Sequence, residues 1–293
     1  MRVRPGLTRA LTRALTLLVV AALATTGCDE EHGSTGTDDY VALGDSFTSG
    51  AGLPETERSA TACGQSALNY PRLVASSIGA ELTDVSCGGA GTGNATQPQQ
   101  VGQVTWPPQL DALEKGTHLV TVGLGGNDYG WFLGVMFTCT ALAAEDPTGH
   151  PCQDRATTRS WDVTEVPAKV GAGLEELLLE VHRRSPHARV LLVGYPQLVP
   201  AAGTCPELPL ATGDYAFVRA QWEAMNAAMR AAAHASGATY VDVLGPSRGH
   251  DVCAGDEAWV NGATAQPGVA AAYHPFRQEQ AAVAELVERA LRQ

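Results

Sequence analysis

A serine directly behind a short apolar run is the first residue of this chain that could do chemistry: Tyr40-Val41-Ala42-Leu43 leads into Gly44-Asp45-Ser46-Phe47-Thr48-Ser49-Gly50. At a helix N-terminus such a hydroxyl faces solvent, and the backbone N–H groups beside it favour a developing anion, as an acyl-transfer nucleophile requires. An isolated Asp-Ser would instead be read as a helix cap. The elbow G-x-S-x-G is absent, because Thr48 stands two residues after Ser46. Two more turns have a similar make-up. Leu82 to Ser86 precedes Cys87-Gly88-Gly89-Ala90, and Leu119-Val120-Thr121-Val122 runs through Gly123 to Gly125-Gly126-Asn127-Asp128. In open parallel sheets the working residues gather beyond the carboxyl ends of the strands, so these polar, Gly-rich turns are where a site is expected.

The elements that must hold those turns follow from the spacing of apolar residues. Strand-length runs recur at 40–43, 82–86, 119–122, 190–193 and 239–243, with helical patterns between them at about 68–79, 107–115, 167–185, 213–236 and 276–291. In one of these, Leu174, Leu177, Leu178 and Val181 keep the spacing of a single buried helix face. Alternation of this kind predicts β-α-β units around a parallel sheet of five strands. There is no internal repeat and no linker between 39 and 293. The stretch 134–165, with Cys139, Cys152 and several Pro and Gly, reads as an irregular insertion stapled by a disulfide.

Composition narrows the class. The chain has 293 residues, 44% hydrophobic and 17% charged, with a formal net charge of −12. That is a globular composition, and the only positive cluster lies at the extreme N-terminus, which excludes a nucleic-acid footprint. No later stretch is apolar for long enough to make a polytopic membrane protein. Residues 1–27 read as an export signal, with Arg2, Arg4, Arg9 and Arg13 as its basic region and Leu15 to Ala24 as its apolar core. Thr25-Thr26-Gly27-Cys28 resembles the bacterial lipoprotein cleavage box, with Thr25 where that box usually has Leu. Acylation of Cys28 would then give membrane contact through a lipid anchor, and the polar segment 28–38 would be a flexible tether to a domain spanning 39–293. Seven cysteines are present, and setting Cys28 aside leaves Cys63, Cys87, Cys139, Cys152, Cys205 and Cys253 for three disulfides. Six cysteines can pair in fifteen ways. Nearest-neighbour pairing is the expectation, because each such bond closes a local loop.

Taken together, the turns carry a resemblance to a known family. Gly44-Asp45-Ser46-Phe47-Thr48-Ser49-Gly50 is similar to the first block of the GDSL, or SGNH, hydrolases, and Gly89 in Cys87-Gly88-Gly89-Ala90 matches the second. Gly125-Gly126-Asn127-Asp128 matches the third, and His274 in Tyr273-His274-Pro275 the last. The cysteine pattern, with Gly249-His250-Asp251-Val252-Cys253 and Trp259-Val260-Asn261-Gly262, further resembles the secreted actinobacterial lipases and esterases of that family. The resemblance implies a three-layer α/β/α, flavodoxin-like domain. It also implies Ser46 as nucleophile, His274 as base, and an oxyanion hole of the Ser46 and Gly89 N–H groups with the Asn127 side chain. The family's last block is usually D-x-x-H, but Ala271 stands three residues before His274. The backbone carbonyl of Ala271 is therefore the expected partner of the imidazole, with Asp251 and Asp256 in reserve. His250 and the remaining histidines are expected at the surface, and Asp45 and Asp128 as turn-holding residues. Tyr129, Trp131 and Phe132 are candidates to line an acyl pocket. No cluster has metal-ligand spacing, so neither a metal nor another cofactor is expected. The implied function is an exported, monomeric serine esterase or lipase acting on fatty esters, extracellular or anchored to the outer face of the membrane. A carbohydrate deacetylase on the same residues and a catalytically silent lipid- or glycan-binding lipoprotein are the alternatives.

Overall fold

The computed structural model describes residues 39–54, 63–156, 158 and 161–293; the export signal, Cys28 and the tether lie outside them. The chain enters on β1 (Asp39–Gly44), whose side chains alternate between two apolar layers: Tyr40 and Ala42 point one way, Val41 and Leu43 the other. A strand buried on both faces reads as a continuous apolar run, and that is how this one reads. It is followed by the short helix α1 (Ser46–Ser49) and by α2 (Tyr70–Ile78). The Asn69 side chain caps α2 by accepting from Arg72 N at 3.3 Å, Pro71 sits in its first turn, and Gly79 ends it in the left-handed conformation.

Next come β2 (Glu81–Asp84), a hairpin of β3 (Gln99–Val101) and β4 (Val104–Trp106), and β5 (Leu119–Gly123). They are followed by the short helices α3 (Cys139–Leu142) and α4 (Pro151–Ala156), then α5 (Val166–Arg184), β6 (Arg189–Val193), α6 (Tyr215–Ser236), β7 (Thr239–Val241) and α7 (Arg277–Leu291). The main sheet runs β2-β1-β5-β6-β7 with every pairing parallel. With the hairpin set aside this is the order 2-1-3-4-5, the flavodoxin-like doubly wound arrangement. Helices α5 and α6 cover the Val41 and Leu43 face, and α2 and α7 the Tyr40 and Ala42 face. No described helix is long and apolar enough to cross a membrane.

Two expectations are corrected. Segment 107–115 holds only a single 3₁₀ turn, Gln109–Ala112, which ends where Leu113 is extended; the Gln109 side chain is spent on β1, accepting from Gly44 N at 2.8 Å and donating to Gly44 O at 2.9 Å. The stretch 134–165 is largely helical where it is described: a π-helical run, Leu133–Thr138, continues into α3, and α4 follows. The three disulfides join Cys63 to Cys87, Cys139 to Cys152 and Cys205 to Cys253, the nearest-neighbour pattern.

One buried polar group joins three helices. The Gln280 amide of α7 donates to Phe47 O of α1 at 2.9 Å and accepts from Tyr70 N of α2 at 2.7 Å, and it also donates to Glu279 Oε2 at 2.7 Å. Burial pushes the Glu279 carboxyl up to about 8, against the single bond from Gln280. A folded-state value above the unfolded one means the fold prefers the protonated acid. That contribution is full below the unfolded pKa and is lost as the pH climbs towards about 8. Glu279→Gln keeps the acceptor and removes the charge, so it should raise Tm by several degrees at about pH 8 and far less at about pH 5. Thermal melts at the two pH values check this; an equal shift at both would show that the carboxyl does not titrate within the fold.

Candidate active site

Ser46 opens α1 immediately beyond β1, and Asp45 holds the turn. Asp45 Oδ1 accepts from Phe47 N at 2.9 Å, and Asp45 N donates to Gly123 O at the end of β5, also at 2.9 Å. Asp45 Oδ2 accepts from the Tyr195 hydroxyl at 2.6 Å. Burial pushes the Asp45 carboxyl up to about 7, with the Tyr195 and Phe47 bonds pulling against it and the Asp128 charge adding to the rise. Its place is that of a turn-holding residue. Ser46 is 8% exposed, and its backbone N–H is not taken by any described group.

The second turn follows β2. Gly89 has a φ of 77°, in the left-handed region that a side chain strains, and the Ala90 N to Cys87 O bond at 3.0 Å closes the turn around it. Gln99 of β3 holds this turn by donating to Gly88 O at 2.8 Å, and Gly88 N donates to Cys63 O at 2.7 Å beside the Cys63–Cys87 bond. The Gly89 N–H also has no partner among the described residues. The third turn meets the second through Asn127, whose Nδ2 donates to Ala90 O at 3.0 Å. Asp128 beside it accepts from both Thr92 N and Thr92 Oγ1 at 2.7 Å, so it ties the same two turns.

His274 is 9% exposed, with its ring between Phe47 and Phe132, centroids 5.2 and 5.4 Å away. Its Nδ1 lies 2.7 Å from the carbonyl oxygen of Ala272, not of Ala271. The correction has a physical cause. His274 N donates to Ala271 O at 3.2 Å, closing a turn in which Tyr273 takes a φ of 60°, and Asn261 Nδ2 donates to the same oxygen at 3.1 Å. The Ala271 carbonyl is spent on the turn, which leaves that of Ala272 facing the ring. With Nδ1–H donating to a carbonyl, Nε2 carries the lone pair. Burial lowers the His274 pKa, against the Ala272 bond, so the ring is neutral and basic at ordinary pH.

Neither reserve carboxylate is bonded to the ring: Asp251 Oδ1 accepts from Cys253 N at 2.9 Å, and Asp256 is exposed on a surface turn. His250 faces elsewhere, with Nδ1 2.7 Å from Glu257 O and its ring stacked on Trp259. The Ser46 hydroxyl makes no hydrogen bond to His274 in this structure, though Phe47 and Phe132 flank the imidazole and also line the small pocket at Ser46 and Asn127. Such bonds commonly tighten only in the substrate complex.

Of the three aromatic candidates after Asn127, only Phe132 lines that pocket. Trp131 is fully buried against Trp222, centroids 5.0 Å apart, and Tyr129 is 71% exposed. Leu133 and Phe137 are exposed as well, and Phe137 touches both Phe132, which packs on His274, and Tyr273. Reasoning from the residues missed Tyr195 and Trp222. Tyr195 was within reach, since it stands two residues past the end of β6, where strand-end residues collect. Trp222 comes from the middle of α6, where its type and spacing say only that it is buried.

Comparison with known proteins shows the family. The model of the GDSL-like lipase/acylhydrolase family matches residues 42–278. "Lipase 2" of Streptomyces coelicolor is 42% identical over 257 residues, covering 85% of each chain. Among solved structures, the extracellular lipase of Streptomyces rimosus superposes with a TM-score of 0.72 at 28% identity, over 87% of this chain and all of the other. Phospholipase A1 of Streptomyces albidoflavus NA297 has a TM-score of 0.72 at 27% identity, over 86% of this chain and 99% of its own. A strand order, three linked turns and a family match running from within β1 into α7 lead to one conclusion: the chain belongs to the GDSL-like lipase/acylhydrolase family and is a carboxylic ester hydrolase.

Proposed function

We propose that the chain hydrolyses fatty acyl esters through a Ser46–His274 dyad, with the Ser46 and Gly89 N–H groups and Asn127 Nδ2 as the oxyanion hole. The observation that carries this reading is the imidazole: its Nδ1 is engaged by Ala272 O at 2.7 Å, so Nε2 is the basic atom, on a buried ring flanked by the residue next to Ser46. In the first step His274 Nε2 takes the Ser46 proton as Oγ bonds to the acyl carbon, and the carbonyl electron pair moves onto oxygen. Collapse returns that pair, breaks the ester C–O bond, and sends the proton from His274 to the leaving alcohol. Water then repeats the sequence on the acyl-serine, releasing the acid. Ala272 O would steady the transient imidazolium that an Asp steadies in a triad.

The half-exposed Phe137, packed on Phe132 beside His274, suits an acyl chain better than a sugar. The lipase names of the relatives point the same way. Export rests on the basic and apolar N-terminal segment and on the extracellular Streptomyces relative, and anchoring rests on Cys28 alone. The test is steady-state hydrolysis of p-nitrophenyl esters from acetyl to dodecanoyl. A rate optimum at medium or long chains is expected. Turnover of acetyl esters alone would move the assignment to a deacetylase, and no turnover of any ester would overturn the proposal.

A further inference from the structure

The nucleophile turn and the oxyanion turn are stitched together by a residue outside all four family blocks. The Tyr195 hydroxyl, just beyond β6, donates to Asp45 Oδ2 at 2.6 Å and accepts from Gly126 N at 2.8 Å. Gly126 N can only donate, and with Asp45 ionised the phenol gives its own proton to the carboxylate. Asp45 is the residue before Ser46, and Gly126 the residue before Asn127. One buried oxygen therefore spans the attacking group and the side-chain donor of the oxyanion hole. The absence of a side chain at 126 permits this, since a Cβ there would lie 3.0 Å from that same oxygen. Ring packing fixes the phenol: Tyr195 meets Phe47 edge-on at 5.1 Å and Trp222 at 6.0 Å, while Tyr195 N donates to Asn226 Oδ1 at 2.9 Å. The described bonds between the two oxyanion turns, Asn127 Nδ2 to Ala90 O and Thr92 N and Oγ1 to Asp128, do not reach the nucleophile.

We infer that Tyr195 is a positioning residue, whose hydroxyl sets the register of Ser46 against Asn127 in the attacking geometry. The inference rests on the proposed roles of Ser46 and Asn127. Misplacing reacting groups by about an ångström costs on the order of a hundredfold in rate without weakening ground-state binding. The Asp45 carboxyl, faced by Asp128 and Tyr70 as well as by Tyr195 and the Phe47 N–H, accepts its bonds more strongly as the ion. Loss of the phenol donor removes the largest of the bonds favouring that ion, those from Tyr195, Phe47 N and Thr48 N, so the acid limb of the rate profile moves to higher pH.

Tyr195→Phe keeps the ring and removes the oxygen. Rates are taken per active site, counted with a fluorophosphonate that labels Ser46. The expected result is a kcat lowered on the order of a hundredfold with KM within about twofold, an acid limb displaced upward, and affinity for an alkyl boronic acid lowered in step with kcat. Tyr40→Phe is the control. It deletes a buried hydroxyl bonded to Thr121 Oγ1 at 2.8 Å on the other face of the sheet, and should leave kcat and the pH profile unchanged. A Tyr195→Phe enzyme with wild-type kcat, boronate affinity and acid limb overturns the inference. If that variant does not fold, Asp45→Asn carries the test, since its one oxygen cannot accept from both Phe47 N and the phenol; an unchanged kcat there overturns it equally. Failure of the underlying reading is distinct: it would appear as an enzyme that stays active when Ser46 is replaced by Ala.

Discussion

Ser46→Ala and His274→Ala each lower kcat on a soluble p-nitrophenyl ester by about 10⁴–10⁶-fold, and the double variant loses no more than the worse of the two. The reason is that the two side chains act on one proton. Without the hydroxyl there is nothing for the imidazole to deprotonate, and without the imidazole the hydroxyl attacks at its unperturbed pKa, so the second deletion removes nothing further. Neither change should disturb the fold. Ser46 Oγ closes no described hydrogen bond, and the α1 cap depends on the Asp45 carboxylate and the backbone of Phe47. The His274 ring sits between Phe47 and Phe132, and its one hydrogen bond among the described residues is to Ala272 O. Matched circular dichroism spectra with activity lost would place the effect in the chemistry. Additive losses in the double variant would instead mean that the two residues act in separate steps, and the dyad would be the wrong description.

Much of the fold was legible because the apolar residues state it directly. β1 is buried on both faces and reads as an unbroken apolar run, and α5 is buried along one stripe and reads as Leu174, Leu177, Leu178 and Val181. What was not legible has a common cause: the competing partner is distant in sequence. Segment 107–115 has helical spacing but forms one 3₁₀ turn, whose Gln109 side chain is fastened to Gly44, 65 residues away. The hairpin of β3 and β4 is half-exposed and three residues a side, too short to carry an alternation. At the site, each turn could be found one at a time from its Gly and polar residues. Their mutual geometry could not, because it runs through Tyr195 and through the Ala90 carbonyl, and a backbone oxygen leaves no mark on a sequence. The partner of His274 illustrates the same limit. Counting three residues back from the histidine points to Ala271, whereas the turn closed by His274 N consumes that carbonyl and presents Ala272.

Asn127→Ala should lower kcat by about 10²–10³-fold with little change in KM, the loss typical of one oxyanion donor. Asn127 uses its two amide protons differently. One is held by Ala90 O at 3.0 Å, which fixes the side chain and leaves the other to point beyond the turn. The Ser46 and Gly89 N–H groups, unpaired among the described residues, are the donors it would join. A preset donor is worth more here than in water, since Phe132 and Trp222 lie beside Ser46 and Asn127 and lower the local polarity. Asn127→Asp discriminates between positioning and charge stabilisation. The aspartate keeps the shape but turns a carboxylate oxygen towards Ala90 O and towards the oxyanion, so it should be slower than the alanine variant. If Asp and Ala variants are equally active, or if Ala retains activity within about fivefold of wild type, Asn127 donates nothing to the transition state and the hole is built from the two backbone groups alone. A boronic acid that forms a tetrahedral adduct on Ser46 gives an independent reading. Its affinity should fall through the same series in proportion to kcat, because it samples the oxyanion geometry without passing through turnover.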